Sequence, residues 1–131
     1  MGVVYRCSGD IVAEDFFAAN NSFLATPDEI KKWRYGLVDL TAVRSMDIGY
    51  LDISRVVAQN STIASIAVPG IVIAVAAPGD HGFALARMWQ AMVERVGWEA
   101  MAFRSLAEAE DWIQKKVKQK FGIDLSAPAQ G

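Results

Sequence analysis

The chain reads as an α/β fold: a single domain with a mostly parallel, four- to five-stranded sheet layered with about four α-helices. Three observations predict it. Short runs rich in β-branched residues alternate with longer stretches of helical periodicity, the order that builds parallel sheets through crossover helices. One run, Ile71 to Ala76, contains no polar residue. A strand covered on both faces has this pattern, and it belongs at the centre of a parallel sheet. Helix start and stop signals recur between the runs, at Thr26-Pro-Asp-Glu29, Pro78-Gly-Asp80, Gly97 and Ser105-Leu-Ala-Glu108.

In order along the chain, Val3 to Cys7 is a first strand, Ser8-Gly9-Asp10 its turn, and Val12 to Leu24 a helix. That helix turns Phe16, Phe17, Asn20 and Leu24 to one side, and Glu14 and Asp15 suit the positive end of its dipole. Thr26 to Glu29 carries a capping box with proline at the first helical position, so a short helical turn starts there. Tyr35 to Leu40 is the second strand. A helix follows, beginning between Asp47 and Asp52, running to about Ala64 and ending by Val68-Pro-Gly70. After the third strand, Asp80 to Val96 is a helix with a broad apolar set, stopped by Gly97 in a left-handed conformation. Trp98 to Phe103 is the fourth strand. Ser105 caps a last helix that turns Leu106, Ala109, Trp112, Ile113 and Val117 inward. Four parallel strands are expected, with room for an antiparallel strand at one edge. Residues 1–121 form the domain, and 122–131, ending in Ser126-Ala-Pro-Ala-Gln-Gly131, a flexible tail.

Composition bounds the function. At 131 residues the chain buries roughly two-thirds of its unfolded surface without a metal or disulfide staple. Hydrophobic residues at 53% and charged residues at 21% exclude a disordered chain. Mean hydropathy is only +0.20, and no apolar run reaches the roughly 20 residues of a membrane span. The lone Cys7 and the absence of a secretory leader point to the cytoplasm. A net charge of −2 and a pI near 5.3 argue against nucleic acid as a partner.

The stretch Tyr35-Gly-Leu-Val-Asp-Leu-Thr-Ala-Val-Arg-Ser-Met-Asp-Ile-Gly49 resembles the STAS domain of bacterial anti-sigma factor antagonists. There, a strand reading apolar-apolar-Asp-Leu leads into a loop with a second aspartate before the next helix. Cys7 to Ile11, Gly70 to Pro78, Gly82 to Trp89 and Phe103 to Ile113 resemble the uncharacterised STAS-like, or SpoIIAA-like, members of that group. The resemblance spans about Val3 to Ile113. It implies a non-enzymatic regulatory module that binds a protein partner through Asp39, Thr41, Ser45, Asp47, Ile48 and Gly49 and the start of the following helix. In sigma-regulating antagonists a serine at the start of the helix after the loop is phosphorylated, which adds nearly two negative charges. Ile48 and Gly49 occupy that neighbourhood here, so the serine switch is expected to be missing.

Other constellations were weighed against plainer readings. Asp39 and Asp47, with Asp10 or Asp80, would offer carboxylates to magnesium and support a small metal-assisted enzyme. The plainer expectation is that they cap turns and helices, and no metal or other cofactor is predicted. Asp39 also resembles the phosphoacceptor of response-regulator receivers, but Arg104 stands where that pocket needs lysine. His81 reads as an exposed loop residue, and Cys7 as a small buried hydrophobe. No nucleophile elbow, glycine-rich phosphate loop or Cys-x-x-Cys is present. Met88, Trp89 and Met92 widen the apolar face of their helix, which predicts a homodimer contact or a surface for a small apolar ligand, or else a large core. The second use would make the protein a lipid or apolar-ligand carrier, as in the helix-covered sheets of the CRAL-TRIO group. Lys115 to Lys120 complement a helix dipole and would also suit anionic lipid headgroups.

Overall fold

A computed structural model describes residues 2–125; Ser126 to Gly131, the end of the expected tail, lies outside them. The elements follow the order β1 (Gly2–Val12), α1 (Ala13–Leu24), α2 (Pro27–Ile30), β2 (Tyr35–Asp47), α3 (Tyr50–Ile66), β3 (Val72–Ala76), α4 (Asp80–Val93), β4 (Glu99–Phe103) and α5 (Leu106–Phe121). The four strands form one sheet in the order β1-β2-β3-β4, every pair parallel, so no antiparallel edge is present among the described residues.

Successive crossovers of one hand between neighbouring parallel strands place the connecting helices on one face. α1, α3 and α4 accordingly form one layer, packed on Leu40, Ile73, Val75, Ala100 and Ala102. The alternate residues Leu37, Val72, Ala74 and Ala76 point to the other face. There α5 closes a second, smaller core with Ala109, Ile113 and Val117, joined by Ile123 and Leu125 beyond the helix end. β3 is buried along its whole length, as its uninterrupted apolar run requires.

An expected turn and an expected loop are strand. β1 does not stop at Cys7 but continues through Ser8, Gly9 and Asp10, and β2 continues past Leu40 to Asp47. The two pair with each other throughout, Ser8 opposite Ala42 and Val12 opposite Asp47. Register shifts at Arg6/Ser8 and Gly9/Asp10 absorb a local irregularity, and Gly9 takes a φ of 73° there. The polar residues that read as turn signals are the solvent face of this ladder. Val43 and Met46 pack against the main core from the other face, and Ile11 and Ile48 are buried in it. Because β2 pairs with β3 only over Tyr35 to Asp39, the β1/β2 ladder projects as a two-stranded flange.

The caps are partly as expected. Ser105 Oγ accepts the N–H of Glu108 at 3.1 Å. At the starts of α1 and α3, Asp15 and Asp52 reach back to accept the N–H of Val12 and Gly49, each at 2.9 Å. The Thr26 box does not form: its hydroxyl turns back to donate to the Phe23 carbonyl at 3.3 Å, helping to close α1 instead. α4 tightens into a 3-10 turn, Glu94–Val96, and ends on Gly97 at φ 94°. Only glycine holds that conformation without strain, so Gly97→Ala is expected to cost about 1 kcal/mol. Urea denaturation should show a lower midpoint at unchanged slope.

The β4 edge is partly shielded, since Gln90 of α4 accepts the N–H of Ala102 at 2.9 Å. Buried polar groups join the helices of the main layer. Asn20 Nδ2 donates to Gln59 Oε1 at 2.9 Å, and Trp89 Nε1 donates to Asn60 Oδ1 at 2.8 Å. These bonds explain why two asparagines sit on helix faces that are otherwise apolar.

Candidate functional site

The residues expected to bind a partner run along the second half of β2 and into α3. Asp39 closes the part of β2 that pairs with β3 and is 6% exposed. Its carboxylate accepts the hydroxyl of Thr41 at 2.6 Å, the N–H of Thr41 at 3.0 Å and Arg6 Nη1 at 2.9 Å. Burial by itself would raise its pKa, but the Thr41 hydroxyl and N–H, together with Arg6, outweigh burial and hold the carboxyl below its ordinary value. Asp39 is therefore an organising anion under the flange. A partner cannot reach it without displacing these bonds.

On the flange, Asp10 and Arg44 face each other across the strands, Arg44 Nε donating to Asp10 Oδ1 at 3.0 Å. Ser45 donates to the same oxygen at 2.7 Å. The bonds from Arg44 and Ser45 lower the Asp10 pKa. Of the six expected residues, Thr41, Ser45, Asp47 and Gly49 are exposed, whereas Asp39 and Ile48 are buried and serve the scaffold. The hydroxyls of Thr41 and Ser45 already donate to aspartates.

Two residues stand beside them at the expected helix start, where the sequence singled out neither. Tyr50 and Leu51 open α3 with exposures of 58% and 75%, the largest of any large hydrophobic side chain among the described residues. Gly49 leads the chain into the helix, and the buried Ile48 and Ile53 fix its entry, so the pair is held on an ordered element. The available signal was periodicity: α3 buries Ile53, Val56, Asn60 and Ile63, and Leu51 falls off that stripe.

The acidic residues of the rim do not converge. Asp10 is held by Arg44, Asp39 by Arg6 and Asp80 by Arg104 at 2.6 Å. Among the described residues no group of three or more His, Cys, Asp or Glu side chains is placed to hold a metal ion. His81 is exposed in the first turn of α4. Cys7 is buried, and desolvation pushes its thiol pKa up to about 11, which suits a core residue and not a nucleophile. Tyr5, on the same strand face, is likewise raised to about 12, chiefly by burial.

Trp89 is 9% exposed in the main core, and Met88 and Met92 pack half-buried against that core. The broad face of α4 is thus largely covered from within the chain. The basic end of α5 is also engaged: Lys115 pairs with Asp111 at 2.9 Å, Lys116 with Glu99 at 3.6 Å, and Lys120 donates to the Gly70 carbonyl. No helix is long and apolar enough to cross a membrane among the described residues.

Comparison with protein-family models, with curated proteins and with solved structures gives no significant match.

Proposed function

We propose that the chain is a non-enzymatic protein-interaction module of the STAS-like type, docking a protein partner on the flange and the start of α3. The observation that carries this reading is the adjacent exposure of Tyr50 and Leu51 on an ordered helix end. Apolar side chains so placed, beside polar residues, suit the centre and rim of an interface. A second feature supports it. Among the described residues no strand pairs with the β3 side of β2 beyond Asp39, which leaves backbone groups of Thr41 to Asp47 available to a partner strand. Asp47 at the end of the flange favours a partner with a basic group near its apolar contact.

The test is capture of proteins from native lysate on the immobilised chain, compared with the variants Leu51→Asp and Asp47→Lys. Both positions are exposed, so circular dichroism should show both variants folded. Leu51→Asp is expected to weaken retention of the specifically bound protein about tenfold, the loss of a modest hot spot. Asp47→Lys should weaken the same interaction less. An identical set of retained proteins on all three surfaces would remove this site assignment.

A further inference from the structure

Between the sheet and the layer of α1, α3 and α4 lies a cavity of about 130 Å³. Ile63 of α3, Val75 of β3 and Leu85 of α4 line it and are buried. Where β1, α1 and the loop before β2 meet it, the wall is aromatic, made by Tyr5, Phe16, Phe23 and Trp33, all half-buried. These rings meet edge to face. Tyr5 lies 5.8 Å from Phe16 and 6.5 Å from Phe23 between ring centroids, and Phe23 lies 5.1 Å from Trp33, with ring planes 71° to 88° apart. Aromatic rings favour this arrangement, in which the positive edge of one points at the negative face of another. The polar side chains on the wall are already engaged within the chain: Asn60 accepts from Trp89, Asn20 donates to Gln59, and the Tyr5 hydroxyl donates to the Asp15 carbonyl. The indole nitrogen of Trp98, which also lines the cavity, is enclosed and exposes almost no surface. Among the described residues the cavity thus offers ring edges, ring faces and aliphatic groups, and little that hydrogen-bonds.

We propose that this cavity binds a single-ring aromatic hydrocarbon, whose ring continues the edge-to-face cluster of Tyr5, Phe16, Phe23 and Trp33. Volume sets the size and the wall sets the chemistry. An engineered apolar cavity of roughly 150 Å³ takes up benzene, so one ring fits here and a diacyl lipid does not. Each edge-to-face contact adds to what burial of the ring's area supplies, so the aromatic wall selects an aromatic guest over a saturated one. A hydroxyl or charged group on the guest would leave water without gaining a partner, which rejects polar analogues. The carrier reading thereby narrows from lipids to benzene-like compounds. Neither Tyr50 nor Leu51 lines the cavity, so this site stands or falls separately from the docking surface.

The test follows the full, isotope-labelled chain by NMR with toluene, phenol and methylcyclohexane, three single rings of similar size. Toluene is expected to shift the methyl resonances of Ile63, Val75 and Leu85 and to saturate. Phenol, with a hydroxyl in place of the methyl group, should bind about tenfold more weakly, the effect of one polar group left unpaired. Methylcyclohexane is more hydrophobic than toluene, yet should bind no more tightly, because it lacks the ring electrons that the aromatic wall engages. Ala19→Leu, which enlarges a side chain on the cavity wall, should weaken toluene binding about tenfold with the circular dichroism spectrum unchanged. An unchanged toluene affinity in that variant would place the ligand elsewhere and overturn the proposal. So would the absence of saturable methyl shifts with toluene, phenol binding as tightly as toluene, or methylcyclohexane binding more tightly, results that need no variant to fold.

Discussion

Trp89→Ala is expected to lower the free energy of unfolding by about 4 kcal/mol, a large share of what a domain of this size possesses. Trp89 sits in the core between sheet and helices, and its ring forms part of the cavity wall. Truncation removes the ring's dispersion contacts and leaves empty volume in the core. It also deprives the buried Asn60 Oδ1 of the donor now at 2.8 Å. Trp89→Phe separates these effects, because most of the ring remains while the N–H is lost, and it should cost about 2 kcal/mol. Urea unfolding followed by circular dichroism measures both. If Trp89→Phe proves as stable as the wild type, the bond to Asn60 contributes nothing and the whole effect is packing.

Asp39→Ala is expected to cost about 2 kcal/mol near neutral pH, the usual worth of hydrogen bonds to a buried charge less relaxation around the site. The loss should depend on pH in a defined direction. Because Thr41 and Arg6 hold the folded carboxyl below its unfolded value of roughly 3.9, the charged form is favoured by folding. Its contribution is complete above that value and disappears as the pH falls through the lower, folded one. The gap in stability between wild type and Asp39→Ala should therefore stay constant above about pH 5 and close progressively below about pH 4. A gap that persists unchanged into strong acid would show that the carboxylate charge is not its source.

Much of the architecture was legible because local chemistry and global fold agree. The apolar run at β3, Gly97 after α4 and Ser105 before α5 each do in the structure what their residue types favour. Misreadings arose where one residue type serves two settings. Ser8, Gly9 and Asp10 suit a turn, yet they also suit a strand paired with a bulged partner, and only the matching extension of β2 decides between the two. Thr26 fits the pattern of a capping box, but its hydroxyl finds a nearer acceptor in the preceding helix. At the candidate site, spacing alone did not tell buried from exposed carboxylates. Asp39 and Asp47 belong to one strand, eight residues apart, but one is wrapped by Thr41 and Arg6 and the other faces solvent. Tyr50 and Leu51 were not singled out at the helix start because their exposure depends on where the flange delivers the start of α3.

β2 has one further consequence. The strand begins between two neighbours at the heart of the sheet and ends on the flange with β1 alone beside it, and it carries the extra residues of both register shifts, between Asp39 and Ala42 and between Val43 and Ser45. The backbone that would meet a visiting strand thus continues the strand that anchors the protein's centre, but it is bent by two bulges on the way. Tension applied at Asp47 would reach Leu37 and Val38, between the two cores, only through those bulges, which are where the flange yields first.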